Sequence, residues 1–282
     1  MTVDPESARV FAIRRFTQNG SHDIDDHIAV EEPMEIRVRS GPDSNRSKRS
    51  VSITMRTPGH DFELAAGFLF TERILTSPEQ IRSIVFCGAP PPGRNESNVV
   101  RVETHEIDLD LDRLQRHFFT SSSCGICGKV SLEALEIGDL PPLDPDRPRF
   151  KSELIYGLPD LLRSSQPLFD QTGGLHAAGL VDAAGTIFEV REDVGRHNAV
   201  DKILGRRFLD GNTPLADLMM VVSGRASFEI LQKALAAGVP GIIAVGAPSS
   251  LAVDLARRFG MTLVGFTSPG RFNVYSGSER IL

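Results

Sequence analysis

Two of the chain's three cysteines stand together in Ser121-Ser122-Ser123-Cys124-Gly125-Ile126-Cys127-Gly128-Lys129. A thiol reacts as its thiolate, and a helix N-terminus or a neighbouring cation lowers its pKa from about 8.5 into a range of roughly 3.5 to 7.5. Lys129 supplies the cation, and residues 129–137 read as a short helix whose free N–H groups would face the sulfurs. Gly125 and Gly128 permit turns closed to residues with a Cβ. Sulfur or redox chemistry at Cys124 and Cys127 is the leading reading. A structural zinc half-site and a chance pairing of thiols are the alternatives, and zinc is disfavoured because a closed site needs four N or S ligands and no second pair exists. No metal site is expected.

Three further stretches join glycine to arginine. They are Arg191-Glu192-Asp193-Val194-Gly195-Arg196-His197-Asn198, then Ser223-Gly224-Arg225-Ala226-Ser227, then Phe266-Thr267-Ser268-Pro269-Gly270-Arg271. The first two precede predicted helices, where free N–H groups and a guanidinium suit a phosphate or another anion. The third leaves a predicted strand with a turn, hydroxyls and a cation. Ligands of open α/β sheets bind outside the carboxyl ends of the strands, so these loops are expected on one rim. The competing reading makes Asp193 and Ser223 ordinary helix caps and pairs the arginines with local carboxylates. His176 and His60 suit structural roles as well as functional ones, and Cys87 reads as a small buried hydrophobe.

The elements that position these groups fall into two styles. Residues 10–16, 28–39 and 51–55 are β-branched or alternating and predict strands, with a polar, turn-forming stretch at 40–50. Residues 62–74 predict a helix with Leu64, Phe68 and Leu69 on one face, and 84–87 and 98–102 predict strands. Four prolines in residues 141–148 mark a linker. Beyond it come a helix at 153–164, a hairpin of 175–181 and 186–190, a helix at 196–208, then strand 218–222, helix 226–237, strand 241–245, helix 250–259 and strand 262–266. This alternation predicts an α/β domain over 149–282 with a mostly parallel sheet, after a smaller strand-rich α+β domain over 1–148.

Composition excludes several classes. With 40% hydrophobic and 24% charged residues and a net charge of −6, this is a globular chain without an electrostatic grip on nucleic acid. No segment approaches the eighteen or so apolar residues of a membrane span, and residues 1–7 resemble no targeting peptide. Few cysteines suit a reducing compartment, so a cytoplasmic location is expected. A zinc deaminase would place H-x-E at one helix start and P-C-x-x-C at the next. Here those places hold His197-Asn198-Ala199 and Ser223-Gly224-Arg225-Ala226-Ser227, which removes deaminase chemistry.

The CGxCG loop, the runs VREDVGRHNAVDKILG and VVSGRASFEILQKALAAGVPGIIAVGAPSSLAVDLA, and the close GFTSPGRFNVYSG together resemble the formate dehydrogenase accessory sulfurtransferase family (FdhD type). Val30-Glu31-Glu32-Pro33 and TPGHDFELAAGFLFTERIL extend the resemblance into the first half. It implies a cytidine-deaminase-like C-terminal domain and a sulfur carrier acting between a cysteine desulfurase and the molybdenum cofactor of formate dehydrogenase. Cys124 is implied as the persulfide cysteine with Cys127 beside it, and Phe266 to Arg271 as part of the cofactor-binding stretch. The client is the bis(molybdopterin guanine dinucleotide) form of the cofactor, and no permanently bound cofactor is expected. Its guanine nucleotide phosphates would be held by Arg196, Arg225 and Arg271, with Ser223, Gly224 and His197 beside them. A homodimer is expected. The alternatives are a non-catalytic chaperone for the same cofactor and a thioredoxin-like oxidoreductase, the latter weakened because the CxxC does not follow the first strand of a βαβ unit.

Overall fold

The computed structural model describes residues 6–41, 47–105 and 143–282. Cys124, Cys127, the helix expected at 129–137 and the start of the proline-rich linker lie outside the described residues.

The N-terminal half opens with a hairpin, β1 (Ala8–Thr17) and β2 (Gly20–Ala29), which turns at Gly20 with φ 121°. Sequence reading missed β2, because SHDIDDH is acidic and weak in β-propensity. It also ran 28–39 together as one strand; the chain breaks at Val30 and Glu31 and restarts as β3 (Glu32–Ser40). β3 pairs with β4 (Ser47–Arg56) and, in parallel, with β6 (Val99–Thr104), which pairs with β5 (Ile81–Phe86). The sheet order is β4-β3-β6-β5. Helix α1 (Asp61–Thr71) lies on its apolar face against Val100 and Val102. Cys87 follows β5 half-buried, so its expected full burial is corrected. It sits where the sheet's outer face meets solvent.

The C-terminal half contains α2 (Ser152–Ser164), α3 (Pro167–Thr172), β7 (His176–Val181), β8 (Ile187–Asp193), α4 (Arg196–Leu209), β9 (Met219–Val222), α5 (Phe228–Ala236), β10 (Gly241–Ala244), α6 (Ser250–Phe259), β11 (Thr262–Ser268) and β12 (Arg271–Ser276). The sheet order is β12-β11-β10-β9-β7-β8. β9, β10 and β11 are parallel neighbours, whereas β7 runs antiparallel to both β8 and β9, and β12 antiparallel to β11. The sheet is therefore mixed, a correction to the mostly parallel sheet expected. Two hairpins cause it, one of which, β11–β12, replaces the loop expected at Phe266 to Arg271.

Alternation along β9 to β11 buries both faces, as central strands require. Met220, Val222, Ile242 and Leu263 pack toward α4, α5 and α6, and Met219, Val221, Ile243 and Val264 toward α2. The first of these clusters continues through α1 into Met34, Ile36 and Val38 of β3. α1 and α4 cross at Gly67 and Gly205, where a Cβ on Gly67 would lie 1.8 Å from the Asp201 carbonyl oxygen.

Candidate functional site

The strand ends of the six-stranded sheet form one hydrogen-bonded rim. Gly246, just after β10, donates its N–H to the Gly224 carbonyl after β9 (2.9 Å), and Phe266 in β11 donates to the Gly246 carbonyl (3.1 Å). Gly246 is tightly enclosed, because a Cβ there would lie 3.0 Å from the Gly224 oxygen. Because β7 runs against β9, its first residue, His176, arrives at the same rim, and its Nδ1 would be 3.4 Å from a Cβ on Gly224. Thus the second and third predicted loops meet, and His176 stands between them and the first.

The first loop is fixed from below by buried charge. Asp193 Oδ2 accepts from Lys202 Nζ at 2.7 Å, both side chains being at most 1% exposed. Asp193 Oδ1 accepts from the Gly195 N–H (2.8 Å) and from Asn198 Nδ2 (2.9 Å), while Lys202 also donates to the Thr57 carbonyl (2.8 Å). Ser223 is likewise structural in part, since its Oγ accepts the Ala177 N–H at 2.9 Å. Thr267 is buried and donates to the Ala244 carbonyl at 2.9 Å. Neither Asp193 nor Ser223 is a helix N-cap, those positions being Gly195 and Ser227, so the capping reading of the two is corrected: both side chains hold backbone instead.

The arginines do not follow it. Among the described residues Arg196, Arg225 and Arg271 form no ion pair, and the Arg196 Nε is buried without a hydrogen-bond partner. Arg225, Pro269, Gly270 and Arg271 are exposed, and Ser268 pairs with Arg271 across the hairpin turn. Phe266 holds φ 52°, a left-handed conformation that is a genuine outlier for a bulky residue, and the residue is 46% exposed. Strain and exposure together mark it as held for contact rather than for packing.

His197, in the first turn of α4, has Nε2 3.5 Å from Ser227 Oγ and 3.9 Å from Glu229 Oε2. Burial, then the charges of Arg196 and Lys233, push its pKa down to about 4. Burial, with Arg196 again, also lowers that of His176. The rim thus presents neutral imidazoles beside guanidiniums that make no ion pair among the described residues, an arrangement suited to an anion with hydrogen-bonding edges. Sequence reading left His176 undecided and missed Gly246. The signal for Gly246 was present: an apolar strand ending in glycine, AVG, repeats the VVSG of the preceding strand. His60, the residue before α1, is exposed, holds φ 60° and has its Nδ1 3.2 Å from Glu63 Oε2.

No helix among the described residues is long and apolar enough to cross a membrane. Residues 29–282 match the model of the FdhD/NarQ family. A protein of Streptomyces avermitilis named sulfur carrier protein FdhD is 49% identical over 264 residues, covering 91% of this chain and 89% of its own. One of the same name from Nocardia farcinica is 44% identical over 279 residues, covering 98% and 96%. A crystal structure from Desulfotalea psychrophila, described as that of a formate dehydrogenase accessory protein, superposes with a TM-score of 0.72 at 30% identity, covering 98% of this chain and 99% of its own. With a family model spanning nine-tenths of its length, and with relatives of nearly half identity matching across both sheets, the chain belongs to the FdhD/NarQ family.

Proposed function

We propose that this protein is a sulfur carrier for the maturation of formate dehydrogenase. It takes sulfur as a persulfide on Cys124 from a cysteine desulfurase and gives it up at the sulfide level, as the Cys127 thiolate attacks the inner sulfur and closes a Cys124–Cys127 disulfide, for the molybdenum of a bis(molybdopterin guanine dinucleotide) client held at the rim. The observation that carries the reading is the rim itself: Arg196, Arg225 and Arg271, without an ion pair among the described residues, with exposed, strained Phe266, on strand ends tied by Gly224, Gly246 and Phe266 backbone bonds. The names of the relatives support the sulfur role.

The loading step balances without an added oxidant. The Cys124 thiolate attacks the outer sulfur of the donor's cysteine persulfide, a new S–S bond forms to Cys124, and the donor thiolate leaves. Cys127 stands close enough in sequence to receive the sulfur or to close a disulfide. Eighteen residues lie between Cys124 and His105 on one side and between Cys124 and Leu143 on the other. At ~3.3–3.6 Å per extended residue, either stretch spans at most roughly 60 Å.

The rim residues fit the client's anionic arms. Phosphates suit the guanidiniums, the α4 and α5 N-termini and His197, and the exposed Phe266 ring suits a base. In this reading the strand order β8-β7-β9-β10-β11 is that of a cytidine-deaminase-like layer, with the division near residue 148 separating it from the N-terminal α+β part. The setting is the cytoplasm.

Two measurements test it. After incubation with a cysteine desulfurase and cysteine, the wild-type protein should gain about 32 Da, the mass of one sulfur attached as persulfide, and the Cys124→Ala, Cys127→Ala variant should not. An undiminished adduct on the double variant would sink the carrier mechanism. Arg225→Ala and Arg271→Ala should each weaken guanine nucleotide binding about tenfold, for a lost charge-assisted contact of ~1.5–3 kcal/mol, while persulfide loading is unchanged. Equal affinity in both variants would remove the nucleotide from the rim.

A further inference from the structure

Arg196 and His197 are placed at the rim by few bonds of their own. Arg196 forms no ion pair among the described residues and its Nε is buried without a partner, while His197 Nε2 reaches Ser227 Oγ only at 3.5 Å. Their positions therefore follow from the backbone beneath them. That backbone is residues 193–198, the turn from β8 into α4.

Such a turn is ordinarily closed by Ser, Thr, Asp or Asn at the N-cap, whose side chain accepts from a first-turn N–H. At this position α4 has Gly195, and no side chain caps the helix. The amide of Asn198, in the first turn and only 7% exposed, fills the space instead, since a Cβ on Gly195 would lie 2.9 Å from its Nδ2. Every polar atom of that amide is engaged. Nδ2 donates to the Met55 carbonyl (2.7 Å) and to Asp193 Oδ1 (2.9 Å), and Oδ1 accepts from Thr54 Oγ1 (3.0 Å) rather than from a helix N–H. A flipped amide would turn its oxygen toward the Met55 carbonyl, so one orientation is fixed.

Thr54 and Met55 stand 144 and 143 residues earlier, on β4, the edge strand of the four-stranded sheet. Just beyond β4, Thr57 Oγ1 accepts from the Val194 N–H (3.2 Å), and the Thr57 N–H donates to Asp193 Oδ2 (3.2 Å). The end of β4 thus braces the turn on both sides of Gly195. A capping side chain at 195 would serve stability alone; bracing from the other half holds the turn and leaves the helix N-terminus open.

We propose that Asn198, set by Thr54, is a positioning residue: through it the N-terminal half fixes the turn that holds Arg196 and His197 at the rim for an anionic client. Only the mention of a client rests on the sulfur-carrier reading. The bracing itself can be read without any ligand.

Thr54→Val keeps the shape of the side chain and removes the hydroxyl, whereas Thr54→Ser keeps the hydroxyl. The first readout is the titration of the His197 ring, followed by NMR on the full chain. Arg196, Lys233, Glu229 and His176 face that ring, whose pKa is lowered to about 4. In Thr54→Val the midpoint should rise by about one unit toward the ordinary ~6.5, as the loosened turn lets water reach the ring, and Thr54→Ser should restore it. The second readout is calorimetric binding of guanosine diphosphate. It should weaken about three- to tenfold in Thr54→Val, for one lost hydrogen bond, and recover in Thr54→Ser, with thermal melts confirming that both variants fold. An unmoved titration in Thr54→Val, equal shifts in the two variants, or a moved titration with unchanged nucleotide affinity would overturn the proposal. A wild type that binds no guanosine diphosphate would instead remove the client from the rim, and the ring titration then decides the positioning by itself.

Discussion

His197 shows at the scale of one residue how the rim sets its own chemistry. Burial and the neighbouring Arg196 and Lys233 hold its pKa near 4, against an ordinary value of about 6.5. Between these values the unfolded chain binds a proton that the folded chain refuses. Stability rises with pH wherever the unfolded state binds more protons, so this residue contributes nothing adverse above pH 6.5 and costs stability as pH falls from there toward 4. The urea midpoint of the wild type should therefore drop more between pH 7 and pH 5 than that of His197→Gln. Parallel drops would assign the acid sensitivity to other groups, His176 first among them.

The crossing of α1 and α4 decides the matter at the scale of elements. Ala normally favours a helix over Gly by up to about 1 kcal/mol, and neither Gly67 nor Gly205 has a positive φ. Propensity alone would therefore welcome Gly67→Ala. The approach of the helices reverses the sign, because the added carbon would meet Asp201 backbone at 1.8 Å, and one on Gly205 would meet the Glu63 carbonyl oxygen at 1.9 Å. Backbone cannot swing aside as a side chain can. Gly67→Ala and Gly205→Ala should each cost about 3 kcal/mol or more in chemical denaturation, and a neutral or stabilising result would show the crossing to be looser than described.

Over the whole molecule, the two halves are joined by buried charge as well as by apolar surface. Lys233 of α5 donates to Thr71 Oγ1 (3.0 Å) and Glu72 Oε1 (3.1 Å) at the end of α1, and pairs with Asp201 Oδ1 of α4 at 3.0 Å. All three donors of the ammonium are thereby used, on helices from both halves. Removing one partner of a buried pair leaves an uncompensated charge at a cost of about 3–5 kcal/mol. Lys233→Met should destabilise by that amount, and adding Asp201→Asn should recover part of it. Strictly additive losses in the double variant would mean the two groups do not act as a pair.

Local chemistry made much of this legible. The periodicity of 250–259 with Gly260 behind it and the apolar runs of β9 and β10 are properties of neighbouring residues, and the structure places them as read. The resemblance in VREDVGRHNAVDKILG and GFTSPGRFNVYSG likewise lay in the order of residues alone. What the sequence could not state was distance between segments far apart along the chain. That His176 stands beside Gly224, that Asp193 is consumed by Lys202 and Thr57, and that a weakly β-forming acidic stretch becomes the second strand of a hairpin all depend on which strands lie side by side. Local propensity carries little information about partners a hundred residues away. The antiparallel arrival of β7 at the rim and the last hairpin at Phe266 to Arg271 were decided by sheet pairing, and only that pairing brought three separate stretches with their arginines onto one surface.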